Sequence, residues 1–415
     1  MIPASSRRPE ELPPPILVED EHGLARLLED LEGTTEIAVD TEADSFYRYR
    51  ERVCLIQITA NERDYLLDPL QGLDLRPLGA VFSDPRRTKV FHDGEYDILI
   101  LKREYGFDFA GLFDTRIAVA ALGSAALGLA AVVQSRFGVE LDKSEQRSDW
   151  SRRPLSPSQI DYARLDTHYL LALRRVLAAE LEGLGRSRIL EGECRRLERL
   201  AAPERVFDPD DFLRIKGARS LGPLELRVLR ELFVWRDAEA CERDVPPFKV
   251  LGNDTLLLLA RRPPRSLRHL EGVPGLSPRA VRRIGGKILT VVARAEELGS
   301  LARPRPAPRD GTGGFDDAAI ELHERLKDWR KERGAEHGID SSLVLNRHAL
   351  LRLARTRPKT LEALRQVEGL VDWQIELFGA GLLDLLARFE ADLAAGKLDP
   401  ARRRGRRREA PEDAD

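Results

Sequence analysis

Cysteine is scarce in this 415-residue chain. Cys54, Cys194 and Cys241 stand far apart, with no Cys-x-x-Cys pair and no histidine at metal-ligand spacing. That argues against a zinc site, and three scattered thiols fit a reducing compartment where a buried cysteine acts as a small apolar residue. Long apolar runs are missing too: nothing approaches the roughly 20 consecutive apolar residues of a membrane span. The N-terminal stretch 1–15 carries Arg7, Arg8 and several prolines but no apolar h-region, so it does not read as a secretory signal. The expected location is the cytoplasm. No Gly-x-x-x-x-Gly-Lys-Ser/Thr stretch occurs either, which removes P-loop and helicase chemistry from the readings.

What is present describes a soluble globular protein: 42% hydrophobic and 33% charged residues, at a length that suggests two to four domains. The net charge of −3 conceals a division. Residues 1–205 carry 28 basic and 36 acidic groups, a net −8, whereas residues 206–415 carry 39 and 34, a net +5. An attraction for phosphate is to be sought in the second half.

Four carboxylates in three segments carry the chemistry: Asp40 with Glu42, then Asp97, then Asp166. Glu36-Ile37-Ala38-Val39-Asp40-Thr41-Glu42 is a strand-like run that ends in acid. At i, i+2 on a strand, Asp40 and Glu42 share a face roughly 6–7 Å apart. Like charges so placed repel unless a cation lies between them, and hard oxygen ligands suit Mg²⁺ or Mn²⁺. Asp97 follows a short strand, a Gly94 turn and the first turn of a helix. Asp166 lies inside a helical pattern, with Tyr162 at i, i+4 on its face. A phenol beside a carboxylate can hold a water between them and aim it. Singly, Asp-Thr-Glu is more often a solvated turn and Tyr-x-x-x-Asp an exposed pair. Order, spacing and placement make them one constellation.

The order Asp-x-Glu, Asp, Tyr-x-x-x-Asp resembles the DEDD superfamily of 3′→5′ exonucleases, in the subtype with tyrosine in its third motif. The wording His92-x-Gly94-x-x-Asp97, then Phe113-Asp114-Thr115, then Leu141-Asp142-Lys143-Ser144-Glu145-Gln146-Arg147-Ser148-Asp149-Trp150 is similar to the ribonuclease D family. The resemblance implies a ribonuclease H-like α/β fold, a mixed sheet flanked by helices. It implies a two-metal site (Mg²⁺ or Mn²⁺) held by Asp40, Glu42, Asp97 and Asp166, with Tyr162 joining them as the fifth catalytic residue. Asp40 would bridge both ions, Glu42 and Asp166 would complete the first position, and Asp97 would act directly or through water. The implied activity is release of nucleoside 5′-monophosphates from RNA 3′ ends, with maturation of transfer RNA precursors as the expected task. The alternatives are a DNA-directed exonuclease of the same superfamily and a catalytically silent RNA-binding adaptor. The presence of all four acids and the tyrosine argues against the adaptor. Phe46, Tyr47 and Tyr49, just after the first motif, read either as base-stacking rings or as a structural cluster.

Residues 1–15 read as a flexible N-terminus and 16–205 as the exonuclease domain. Expected strands are Ile37–Asp40, Val53–Thr59, Tyr65–Leu67 and Thr88–Phe91, the first three as an antiparallel meander. Expected helices are Leu75–Phe82, Tyr96–Glu104, Thr115–Leu122, Leu127–Phe137 and Ser158–Leu184. Beyond 205 the strand patterns end and an internal repeat begins at a constant offset of 94. Trp235-Arg236 matches Trp329-Arg330, Val250-Leu251 matches Val344-Leu345, Ala260-Arg261 matches Ala354-Arg355, and Gly275 matches Gly369. Each unit resembles the helicase-and-ribonuclease-D C-terminal (HRDC) domain, an all-α bundle that implies nucleic-acid binding. The expected units are 206–300 and 315–398, joined by a Pro/Gly-rich linker at 301–314 and followed by a charged tail at 399–415. The repeated residues are mostly apolar, so they read as core. With little net charge, the second module is expected to dock more than to touch RNA. The tail packs six arginines into 402–408 and suits a solubilising extension and a phosphate-gripping arm equally.

Overall fold

The computed structural model describes residues 8–202, 206–302 and 317–397. The linker from 303 onward and the Arg-rich tail lie outside them.

A six-stranded mixed sheet organises the first part. Its strands are β1 (Ile16–Val18), β2 (Glu36–Ala43), β3 (Val53–Ala60), β4 (Arg63–Leu67), β5 (Thr88–Phe91) and β6 (Leu112–Asp114), in the order β1-β4-β3-β2-β5-β6. The expected meander β2–β3–β4 is antiparallel, while β1, β5 and β6 run parallel to their neighbours. Every residue of β3 is buried, because helices cover both faces of this central strand and no polar alternation is required. The helices are α1 (Glu21–Leu31), α2 (Arg76–Ser83), α3 (Glu95–Tyr105), α4 (Thr115–Ala121), α5 (Leu129–Phe137), α6 (Pro157–His168), α7 (Leu170–Gly183) and α8 (Ser187–Glu198).

The single helix expected over Ser158–Leu184 is therefore two. α6 begins with a capping box: Ser156 accepts from the Gln159 amide, Gln159 returns a bond to the Ser156 N–H, and Pro157 fits the first turn. It ends where His168 turns to Asp64 of β4 (2.8 Å) and the buried Tyr169 packs near Phe137 (ring centroids 6.2 Å). Residues 8–15, expected to be flexible, are held against α6, whose buried Arg164 donates to the carbonyls of Pro13 (3.0 Å) and Pro9 (2.9 Å).

The repeat is a repeat in space. The first module comprises α9 (Pro223–Glu242), α10 (Pro247–Val250), α11 (Asn253–Arg261), α12 (Leu267–Leu270) and α13 (Pro278–Glu297). The second comprises α14 (Asp317–His337), α15 (Ser341–Val344), α16 (Arg347–Thr356), α17 (Leu361–Arg365) and α18 (Asp372–Ala394). Arg236 donates to the Leu251 carbonyl at 3.0 Å, and Arg330 to the Leu345 carbonyl at 2.9 Å, so one bond recurs at the repeat offset. Gly275 and Gly369 turn the chain at φ +87° and +93°, a region open to glycine at no steric cost.

The two modules are set differently on the sheet domain. The first has a core of its own around Phe212, Leu229, Leu256 and Ile284. The second shares the exonuclease core: Leu322, Val344, Leu353 and Phe378 are continuous with it. Trp373 lies on Gly192 of α8, where an added methyl group would collide with the indole. The Asp340 amide bonds the Ala120 carbonyl (2.9 Å), and Arg186 ties Ala121 to Gly338 (both 2.8 Å). No helix among the described residues is long and apolar enough to cross a membrane.

Candidate active site

Three elements bring the expected acids together. β2 carries Asp40 and Glu42 on one face, and α6 crosses that face with Asp166 and Tyr162. One carboxylate oxygen of each of Asp40, Glu42 and Asp166 lies within 4.8 Å of the others. Asp97 enters from the first turn of α3, buried, and takes a short hydrogen bond from the Thr41 hydroxyl. It stands beside the triad rather than within its tight cluster.

Burial above all, and then mutual repulsion, drives these carboxyls toward protonation. Asp40 is raised well above the ordinary carboxylate range by burial and by Asp97, Asp166 and Glu42. Glu42 is raised by burial, Asp166 and Asp97. Burial lifts Asp97 to about 6 against the Thr41 bond, and lifts Asp166 to about 7 against the opposing influence of the Tyr162 hydroxyl. The Tyr162 hydroxyl is itself shifted upward by burial and by Asp166, so it remains a neutral phenol. Its ring leans on the buried Trp150, with centroids 5.9 Å apart.

The donor set fits divalent cations. It consists of hard carboxylate oxygens at close range, whose repulsion a cation would relieve. Gln57 of β3, directly across from Asp40, is fully buried with neither amide atom hydrogen-bonded among the described residues. Such a group normally finds a partner, and here it shares the sheet face that carries Asp40.

Sequence reasoning missed the parts that hold the acids in place. Asp114 caps α4 and also accepts from the Gly94 (2.8 Å) and Asp93 (3.2 Å) amides, clamping the turn that delivers Asp97. Gly94 is required there because a Cβ would come within 2.6 Å of Phe91. His92 Nδ1 pairs with the Thr115 hydroxyl (2.8 Å), and burial lowers its pKa to about 4, so the ring stays neutral. Thr41 was legible only as the residue between two acids; strand alternation alone marks it as facing away from them. Of the aromatic trio, Tyr47 donates to the Arg147 carbonyl (2.9 Å) and Tyr49 to Asp237 (2.6 Å), which makes both structural. Phe46 is left 50% exposed.

Comparison with known proteins agrees with this architecture. A 3′-5′ exonuclease profile matches residues 15–182, and an HRDC domain profile matches 225–292 and 320–386. Ribonuclease D of Escherichia coli K12 is 32% identical over 375 residues, covering 90% of this chain and 98% of its own. Ribonuclease D of Zymomonas mobilis is 36% identical over 334 residues, covering 79% and 84%. The crystal structure of Escherichia coli RNase D, described as an exoribonuclease involved in structured RNA processing, has a TM-score of 0.66 at 30% identity, covering 90% of this chain and 99% of that one. The chain belongs to the ribonuclease D family of 3′→5′ exoribonucleases.

Proposed function

We propose that this protein is a cytoplasmic, divalent-metal-dependent exoribonuclease that trims structured RNA from the 3′ end, transfer RNA precursors foremost, and releases nucleoside 5′-monophosphates. The observation that carries this reading is the convergence of Asp40, Glu42 and Asp166 within 4.8 Å, with Asp97 and Tyr162 beside them. Asp40, Glu42 and Asp166 would hold Mg²⁺ or Mn²⁺, with Asp97 joining directly or through water. When bound, two such ions supply an activated water and a counter-charge for the leaving 3′-oxygen. Tyr162, one helical turn from Asp166 on α6, orients the attacking water; as a neutral phenol it positions and does not act as the base. Thr41 fixes the Asp97 carboxylate, and Trp150 fixes the tyrosine ring. Phe46 offers an exposed ring to a terminal base, a contact worth about 1–3 kcal/mol.

RNA is favoured over DNA by the family, since the carboxylates themselves act on either polymer. The test is Mg²⁺- or Mn²⁺-dependent release of mononucleotides from matched 3′-labelled RNA and DNA oligomers and from a transfer RNA precursor. Equal or faster DNA degradation would move the assignment to the DNA-directed reading. Binding without release in either metal would move it to the adaptor.

A further inference from the structure

The loop 44–52 follows directly on the strand that carries Asp40 and Glu42. Buried Asp44 closes its base by accepting from the Arg52 amide (2.9 Å) and its Nε (3.3 Å). The rest of the loop is gripped by the first helical module. Arg48 pairs with Asp244 (2.9 Å), the Tyr49 hydroxyl with Asp237 (2.6 Å), and the Lys249 ammonium sits 4.2 Å from the centre of the Tyr47 ring. All three contacts fall within three consecutive residues of the loop.

This clasp leaves uncovered rings on both of its sides. Phe46 precedes Tyr47 in the chain and is 50% exposed; Phe248 precedes Lys249 and is 55% exposed. Tyr96, 45% exposed and next in sequence to Asp97, bonds Glu51 at the far end of the same loop (3.0 Å). Exposed rings are thus gathered where the metal-site strand meets the module. Aromatic faces of this kind bind unpaired bases irrespective of sequence. The loop starts two residues after Glu42, so the occupant continuous with the carboxylate site is the single-stranded 3′ end itself.

We propose that the first module completes the substrate-entry site, with Phe248 as a stacking wall opposite Phe46 for an unpaired base just upstream of the scissile end. The proposal rests on the exoribonuclease reading above. It differs from a remote grip on phosphates, because it makes the module necessary even for short oligomers.

The test uses the full-length protein with two substrates: a 3′-labelled single-stranded RNA decamer, and bis(p-nitrophenyl) phosphate, which reports on the metal site alone. Phe248→Ala should raise KM for the decamer by about 5- to 150-fold, the worth of one stacked base, and lower the decamer-to-ester selectivity accordingly. Phe248→Trp should restore it, since any ring face serves. Asp244→Arg, which repels Arg48 and opens the clasp, should reproduce the Phe248→Ala loss. The salt dependence of decamer binding should stay the same in Phe248→Ala, because no phosphate contact is removed. An active wild-type enzyme whose decamer KM is unaltered by Phe248→Ala would overturn the stacking wall alone. A wild-type protein that hydrolyses neither substrate with Mg²⁺ or Mn²⁺ would overturn the exoribonuclease reading and the wall with it.

Discussion

Where the first module carries Arg279, Arg282 and Arg283, the second carries Trp373, Glu376 and Leu377 at the offset of 94. The three arginines lie at i, i+3 and i+4 of α13, on one exposed helix face, with no ion pair among the described residues. On the same face of α18, Trp373 is 4% exposed against Gly192, and Glu376 reaches Arg188 at 3.7 Å. One module has turned this face into a seat on the catalytic domain; the other has left it basic and open. The difference teaches where a duplicated domain is free to change. The Arg236 and Arg330 bonds and the glycine turns hold each bundle together and recur, while the outer face of the last helix diverges with its partner.

That contrast can be broken. As a reference for the largest effect, Asp40→Asn should lower single-turnover RNA hydrolysis by at least about 1000-fold with the circular dichroism unchanged, because it alters a site neither module builds. Full activity in the folded variant would remove Asp40 from the metal centre. Next, Trp373→Ala should destabilise the protein by about 3–5 kcal/mol in denaturant titration, the usual cost of a buried tryptophan. Its repeat counterpart Arg279→Ala should stay within about 0.5 kcal/mol. Similar costs for both would mean that the face is not used differently.

Much of this was legible in the sequence. Strand alternation put Asp40 and Glu42 on one face, helix spacing put Tyr162 beside Asp166, and a gapless offset exposed the two modules. The edge strands β1 and β6, at three residues each, were too short to show a period. The break at Tyr169 was hidden because its cause, the pull of Asp64 on His168, comes from a strand about a hundred residues away. The roles of Asp114, Gly94 and Trp150 were likewise nonlocal: each motif could be quoted, but what it clamps emerges only when α3, α4 and α6 meet the sheet. Tyr47 and Tyr49 gave no sign of their partners, which lie about a hundred or more residues away.

Smaller effects sharpen the division of labour. If its hydroxyl positions the attacking water as proposed, Tyr162→Phe should cut kcat by roughly 10–1000-fold while RNA affinity holds; an unchanged single-turnover rate would reduce Tyr162 to packing. Arg279, Arg282 and Arg283 replaced together by alanine should weaken binding of a transfer RNA precursor by about tenfold at moderate salt. The log–log salt slope should shrink by about 2, at roughly 0.7 per lost phosphate contact on single strands. Glu376→Ala, on the same face of the second module, should alter neither. Equal slopes in all three proteins would leave the basic face without an RNA role.

The smallest expected effect separates the modules by pH. In metal-free protein, Asp97 and Asp166 titrate in the folded state at about 6 and 7, above the ordinary carboxylate value of about 3.9 in the unfolded chain. Between those limits the folded state holds more protons, so stability present below about pH 4 is lost as the pH rises through 7. His92, lowered to about 4, works the other way up to about 6.5, so the difference between chelated and Mg²⁺-loaded protein isolates the carboxylates. That difference in melting temperature should widen from pH 5 to pH 8. It should appear in the unfolding of the exonuclease core with the second module, which share one apolar cluster, and leave the first module, with its separate core, at the same melting temperature. If calorimetry showed every transition moving by the same amount with chelation, the first module would be as tightly coupled to the catalytic domain as the second, and the structural contrast between them would carry no energetic one.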